Sequence, residues 1–457
     1  MANTYLTRTP SSTGTQTKFT FSFWVKITSA SNGADKAIFS SGSNSSNYYM
    51  IRFISADQLQ ILSKNNGSNQ INYNTNQVFR DTNAWYHIVL AHDTTQSSGS
   101  RIKYYVNGEQ VSSFESSVEP SASANILHVN DTTVHAWGRR NYNSDLYTDM
   151  VLSHVHFCDG YAYQASDFGS TDTTTGEWKI NTAPSVTYGT NGYFILKDGN
   201  SVTDASPNSN NFTVAGGTLT KTEDCPDNVF ATLNPLVRNA TSANNNTLSY
   251  GNNRQTTLSV SGAYTPSPST LGMTSGKYYA EMKVTTLVAN CFVGIDGDAS
   301  NTVRQGINMG YSPYGYCYAQ WGGKYNNGTS VASAGATFTA GDIVGIAVDM
   351  DNLKVYFSKN GVWQNSGNPT SGSTGTGAFY TIASVDNAPD GAYFFEASNN
   401  DADGNSVWDW NFGNGYFGTT AVATNSGNGY AGAEGKSIFN YQPPTGYTAL
   451  STKGLNL

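Results

Sequence analysis

Phe19-Thr20-Phe21-Ser22-Phe23-Trp24-Val25-Lys26-Ile27 places Phe19, Phe21, Phe23, Val25 and Ile27 on one face and Trp24 on the other. A period of two belongs to a β-strand, whose successive side chains point to opposite sides, and it predicts a half-buried strand here. Similar runs recur outward from it, at 37–40, 48–54, 58–63, 85–92, 101–106 and 152–157, between clusters of Asn, Ser, Gly and Thr. Asn107-Gly108 is a hairpin signal, because both residues tolerate positive φ. Helical periodicity is almost absent. The expected fold class is therefore all-β, with two antiparallel, jelly-roll-like β-sandwich domains in tandem.

The composition agrees. The chain has 457 residues, enough for two or three domains. Only 12% of them are charged while 13% are aromatic, with 46 glycines and 29 tyrosines, which excludes a disordered chain and a coiled coil. The net charge of −8 and the absence of a basic run argue against nucleic acid as a partner. No stretch approaches the length of an apolar membrane span, and Met1-Ala2-Asn3-Thr4-Tyr5 lacks the features of a signal peptide, so a soluble protein made in the cytoplasm is expected, without membrane insertion. Cys158, Cys225, Cys291 and Cys317 are widely spaced and read as free, buried thiols.

In its order of "F-W-V-K", "W-Y-H-I-V-L" and "I-K-Y-Y-V-N-G" strands, the first half resembles the laminin-G-like branch of the concanavalin-type jelly rolls, over about residues 1–220. The turn Asp204-Ala205-Ser206-Pro207-Asn208-Ser209-Asn210-Asn211 usually opens such domains but here comes near the end, which points to closure by a permuted strand. Residues 221–240, polar and bearing Pro226 and Pro235, read as a linker, with the second domain at 241–457. Gly276-Lys277-Tyr278-Tyr279-Ala280-Glu281, Val293-Gly294-Ile295, the run from Gly341-Asp342 to Asn360-Gly361, and Asn411-Phe412-Gly413 together resemble the SPRY domain, a bent β-sandwich. The two domains, the phrase Tyr5-Leu6-Thr7-Arg8-Thr9-Pro10, the segment Val155-His156-Phe157-Cys158-Asp159-Gly160 and the ending Pro444-Thr445-Gly446-Tyr447 resemble surface proteins of tailed bacteriophages. Fold alone fixes no function.

Enzymatic signatures are missing. A glycoside hydrolase on a jelly roll needs paired carboxylates, and none of the eight glutamates has a second acid two residues later. Gly413-Asn414-Gly415-Tyr416-Phe417-Gly418 fits G-x-G-x-x-G but opens no helix, and no nucleophile elbow, Walker loop or H-E-x-x-H occurs. His154 and His156 would hold a metal only with a third ligand from a neighbouring strand; beside Val155 and Phe157 they read as core or rim histidines. Asn399, Asp401, Asp403 and Asn405 alternate oxygen side chains around Gly404, as a calcium loop requires, although Trp410 stands where the bidentate Glu belongs and an ordinary β-turn selects the same residues. Calcium is thus the one cofactor to test. The acidic turn at 294–298 reads as a plain turn.

Tyr311, Tyr314, Tyr316, Trp321 and Tyr325 form the densest aromatic stretch and are the candidate ligand-binding residues. Tyrosine offers a flat apolar face with a polar tip, which suits protein interfaces and sugar stacking alike, while Tyr316 and Tyr318 alternate as packed strand residues do. The resemblances imply a non-enzymatic virion surface protein on capsid or tail. Its expected partners are other virion proteins or host cell-surface polysaccharide, in a homo-oligomer with a trimer favoured. The first sandwich begins almost at once, which favours decoration or docking through the sandwich itself. A polysaccharide-degrading tail enzyme and a cellular SPRY-type peptide-binding adhesion module are the alternatives.

Overall fold

The computed structural model describes residues 3–456 except 29–32, 238–245, 259–263, 265, 289, 332–333, 400–404 and 423–428. It divides into two compact units, one of residues 1–221 and 225–227 and one of 222–224 and 228–457. Nearly all the regular structure is β, in antiparallel sheets.

In the first unit, the strand quoted above spans Lys18–Ile27 and lies inside a six-stranded sheet ordered 193–195, 150–159, 18–27, 85–93, 102–106 and 109–110. Facing it is an eight-stranded sheet ordered 114–118, 68–78, 58–65, 47–53, 36–44, 135–137, 5–8 and 213–216. Phe19, Phe21, Phe23, Val25 and Ile27 point between the sheets and pack with Tyr49, Ile51, Ile61 and Trp137, all essentially without solvent contact. Each such side chain contributes roughly 1.5–3 kcal/mol relative to exposure. Trp137 remains polar at one end, and its Nε1 donates to Tyr193 Oη at 3.0 Å.

The Lys18–Ile27 strand is not half-buried as its alternation predicts, because a second layer covers its other face. Trp24 stacks on His87, with ring centroids 4.8 Å apart. Phe168, Tyr188 and Phe194 close a smaller cluster over the same sheet, with Trp178 packed against it. The early-or-late question of the Asp204 turn is answered by the register. Thr213–Gly216, which follows that turn, pairs antiparallel with Tyr5–Arg8 and completes the eight-stranded sheet. Asp204 fixes the turn: Oδ1 accepts from the N–H of Phe194 and Ser206, and Oδ2 from that of Asn210.

The second unit has a sheet whose main path runs 247–249, 254–256, 407–411, 277–286, 343–349, 354–359 and 362–363. Against it packs a sheet ordered 267–268, 394–399, 291–296, 315–319, 324–326 and 329–331. Trp408, Trp410, Phe357, Phe395 and Tyr318 fill the space between them. Part of the expected 221–240 linker belongs to this core: Phe230, Ala231 and Leu233 are buried, and Ala231 N–H donates to Leu450 O at 2.9 Å. Apolar residues at 229–233, hidden in a polar setting, outweigh the proline-based reading of that stretch. Cys158, Cys291 and Cys317 are free and buried, whereas Cys225 is only partly covered.

Candidate functional site

The aromatic stretch splits between two faces of one sheet. In the strand Gly315–Ala319 the side chains alternate, so Tyr316 and Tyr318 point into the core while Cys317 and Ala319 point outward. Tyr316 is therefore not a ligand-facing residue. It packs on Tyr380 and Tyr393, and its hydroxyl accepts from Ala383 N–H at 3.0 Å. Tyr314 is half-buried against the same core.

The remaining three rings do assemble. Tyr311 is 51% exposed and Trp321 39% exposed, and both stand around the buried ring of Phe292 together with Tyr325 and Tyr264. Trp321 meets Phe292 edge-on at 5.2 Å, Tyr325 meets Phe292 at 5.4 Å, and Tyr311 meets Tyr325 at 5.7 Å and 90°. A glycine makes this possible, since a Cβ on Gly310 would sit 2.3 Å from the Tyr325 ring. Burial, reinforced by a hydrogen bond with the Tyr311 hydroxyl, holds the Tyr325 phenol above its ordinary range. The result is an aromatic cluster on the outer face of the smaller-stranded sheet, with Tyr311 and Trp321 exposed and Tyr325 partly so.

The calcium reading fares differently. Asn399 is buried at the end of the strand Phe394–Asn399, and its Nδ2 donates to Thr257 Oγ1 at 3.2 Å and Ser406 Oγ at 2.9 Å. It is a strand residue tied to its neighbours through Nδ2, with its Oδ1 buried and without a hydrogen-bond partner among the described residues. Asn405 is exposed, and Asp401 and Asp403 lie outside the described residues. Among the described residues no group of three or more His, Cys, Asp or Glu is placed to hold a metal ion. His156 instead stacks on Phe194 at 3.9 Å and bonds Tyr188 Oη through Nδ1, while His154 sits in a bulge at φ 47°.

Two features go beyond the sequence reading, and the first corrects it, since Gly294-Ile295-Asp296 is the end of the buried strand Cys291–Asp296 and not a plain turn. Across the middle of the smaller-stranded sheet, Asp296 and Glu396 turn away from the core and are completely buried. Asp296 accepts from Asp298 N–H at 2.8 Å and Thr302 Oγ1 at 3.0 Å, but neither oxygen of Glu396 has a hydrogen-bond partner. Burial, with the Asp296 carboxyl adding to it, pushes Glu396 well above the usual carboxylate range; burial also raises Asp296 to about 7. The signal was there as alternation, Asp296 after Ile295 and Glu396 between Phe395 and Ala397, but sequence separates the two by a hundred positions. The second feature is a cleft of about 580 Å³ on the outer side of the other sheet, where Trp363 approaches Tyr430 and Tyr441.

Residues 2–167 match the concanavalin A-like lectin/glucanases superfamily, and residues 277–395 match the SPRY domain. No curated protein matches the chain. Among solved structures, the SPRY domain of human HERC1 is 16% identical over 35% of this chain and 87% of its own, with a TM-score of 0.26. A heptameric SAP-like pentraxin from Limulus polyphemus is 13% identical over 48% of this chain and 91% of its own, with a TM-score of 0.29. The chain thus carries a concanavalin A-like, lectin-type sandwich and a SPRY sandwich in tandem.

Proposed function

We propose that this pairing of a lectin-type and a SPRY sandwich is a non-enzymatic, homo-oligomeric component of a bacteriophage virion surface that binds host cell-surface polysaccharide. The observation that carries the binding role is the platform of Tyr311, Trp321 and Tyr325, where Trp321 and Tyr325 both pack on Phe292 and Tyr311 meets Tyr325 edge to face, in a chain of low charge content. A pyranose presents an apolar face ringed by hydroxyls, and such rings complement it without needing charge. The virion setting is supported by the resemblance of the N-terminal phrase, the 155–160 segment and the C-terminal ending to phage surface proteins. A binding rather than cleaving role is supported by the lack of a paired-carboxylate motif, since none of the eight glutamates has a second acid two residues later.

Purified protein is mixed with intact host-type cells and with their extracted surface polysaccharide, and new reducing ends are assayed in parallel. Binding without release is expected. Sustained release of reducing ends would replace the reading by a depolymerase, and absence of any binding would leave only contacts to neighbouring virion proteins.

A further inference from the structure

We propose that the cleft between residues 361–370 and 439–445 is a second saccharide site, taking an uncharged sugar ring independently of the Tyr311–Trp321 platform. Its size, about 580 Å³, falls within the range of small-ligand sites. Trp363, Tyr430 and Tyr441 line it and are each partly exposed, which offers aromatic surface for stacking. The exposed amides of Asn368 and Gln442 share its rim. Apart from the tyrosine phenols, no side chain lining the cleft is ionisable, which disfavours a phosphate, a uronic acid or a basic peptide.

The walls are fixed before any ligand arrives. Glu281, fully buried beneath the cleft, accepts from the backbone N–H of Asn440 at 2.9 Å and Tyr441 at 2.8 Å. The same carboxyl accepts from Asn411 Nδ2 at 3.1 Å and from Tyr279 Oη at 3.2 Å. One acid therefore clamps the 439–441 segment to the sheet and anchors the tyrosine at the cleft floor. Tyr441 is held further by Gly361, at φ 80°, where a Cβ would come within 2.6 Å of its ring. Ordering that precedes binding removes a cost the ligand would otherwise meet. Residues 430–445 lie beyond the SPRY match at 277–395 and belong to the same compact unit. Aromatic-lined grooves also take proline-rich peptides; the amides of Asn368 and Gln442 beside the rings, able to pair with sugar hydroxyls, favour a saccharide here.

The test titrates the full chain with neutral malto-, cello-, manno- and N-acetylglucosamine oligosaccharides, read by saturation-transfer NMR and tryptophan fluorescence. At least one series is expected to bind with a dissociation constant of about 1 mM or tighter. Trp363→Ala and Tyr441→Ala should each weaken it by about tenfold or more, and Gln442→Ala, an exposed position, by about threefold. Tyr441→Phe, which keeps the ring and the fold, should retain binding, and Trp321→Ala should leave this site unchanged. No binding of any series at about 10 mM overturns the proposal. So does binding by a chain already lacking the platform, Tyr311→Ala/Trp321→Ala, that survives the further change Trp363→Ala, or saccharide silence together with binding of a polyproline peptide. Loss confined to Trp321→Ala would place the saccharide on the platform and not in the cleft.

Discussion

Tyr316 and Trp321 stand five positions apart and do opposite work. Tyr316→Ala empties a packed site between Tyr380 and Tyr393 and should destabilise the second unit by about 3 kcal/mol, whereas Tyr311→Ala and Trp321→Ala should leave its melting temperature nearly unchanged. Thermal melts of the three variants check this. The sequence showed the alternation that buries Tyr316 and Tyr318 but not the outer ring of Phe292 around which the exposed rings gather, since that contact joins strands paired only in the fold. Glu396 makes a second residue-scale prediction. Its proton affinity and that of Asp296 are raised on folding, so their stabilising contribution is full below the ordinary carboxylate range and falls as pH climbs toward and past about 7. The second unit's melting temperature should therefore drop over that interval, and Glu396→Gln should flatten the drop; an unchanged slope in the variant would contradict the buried-acid account.

At the scale of elements, the strands with aromatic and β-branched alternation were legible, among them 18–27, 47–53 and 85–93. The strand Ser68–Val78, sequence SNQINYNTNQV, was not. Its apolar anchors are few, and it is held by amides: Gln60 Nε2 donates to Asn72 Oδ1 at 2.9 Å and Asn74 Nδ2 to Glu115 Oε2 at 2.6 Å. Polarity that signals a loop in isolation is satisfied here by the neighbouring strands. The small hairpin of Gly169–Thr171 and Trp178–Ile180 is likewise invisible to periodicity, although it seals the first unit's outer layer. Trp178 Nε1 donates to His87 Nδ1 at 2.9 Å, and burial pushes that imidazole down to about 3. Trp178→Ala should let water reach His87 and raise its NMR titration midpoint toward the ordinary value, with a loss of about 2 kcal/mol. A midpoint that stays put would show that the hairpin is not what dries the ring.

Over the whole molecule, ionisable groups are divided unevenly between the two units. All six histidines lie in the first, where burial lowers His87 and His92 to about 3 and His135 and His154 to about 4. A lowered histidine contributes stability above its unfolded value near 6.5 that is lost as pH falls through the folded one. The buried acids of the second unit act in the opposite sense. Residue-resolved hydrogen exchange should therefore find the first unit's core loosening first in mild acid and the second unit's core loosening first toward alkaline pH; parallel behaviour would contradict the assignment. The tandem of sandwiches was readable from strand order, but the cleft was not, because Trp363 and Tyr441 are brought together only when the C-terminal segment folds back over the sheet. The account rests most heavily on the platform as a polysaccharide-binding surface. Its most direct test is equilibrium binding of extracted host-type surface polysaccharide to the full chain and to its Tyr311→Ala/Trp321→Ala variant. The account predicts saturable binding that the double variant loses while keeping its melting temperature. Equal binding by both proteins would contradict it.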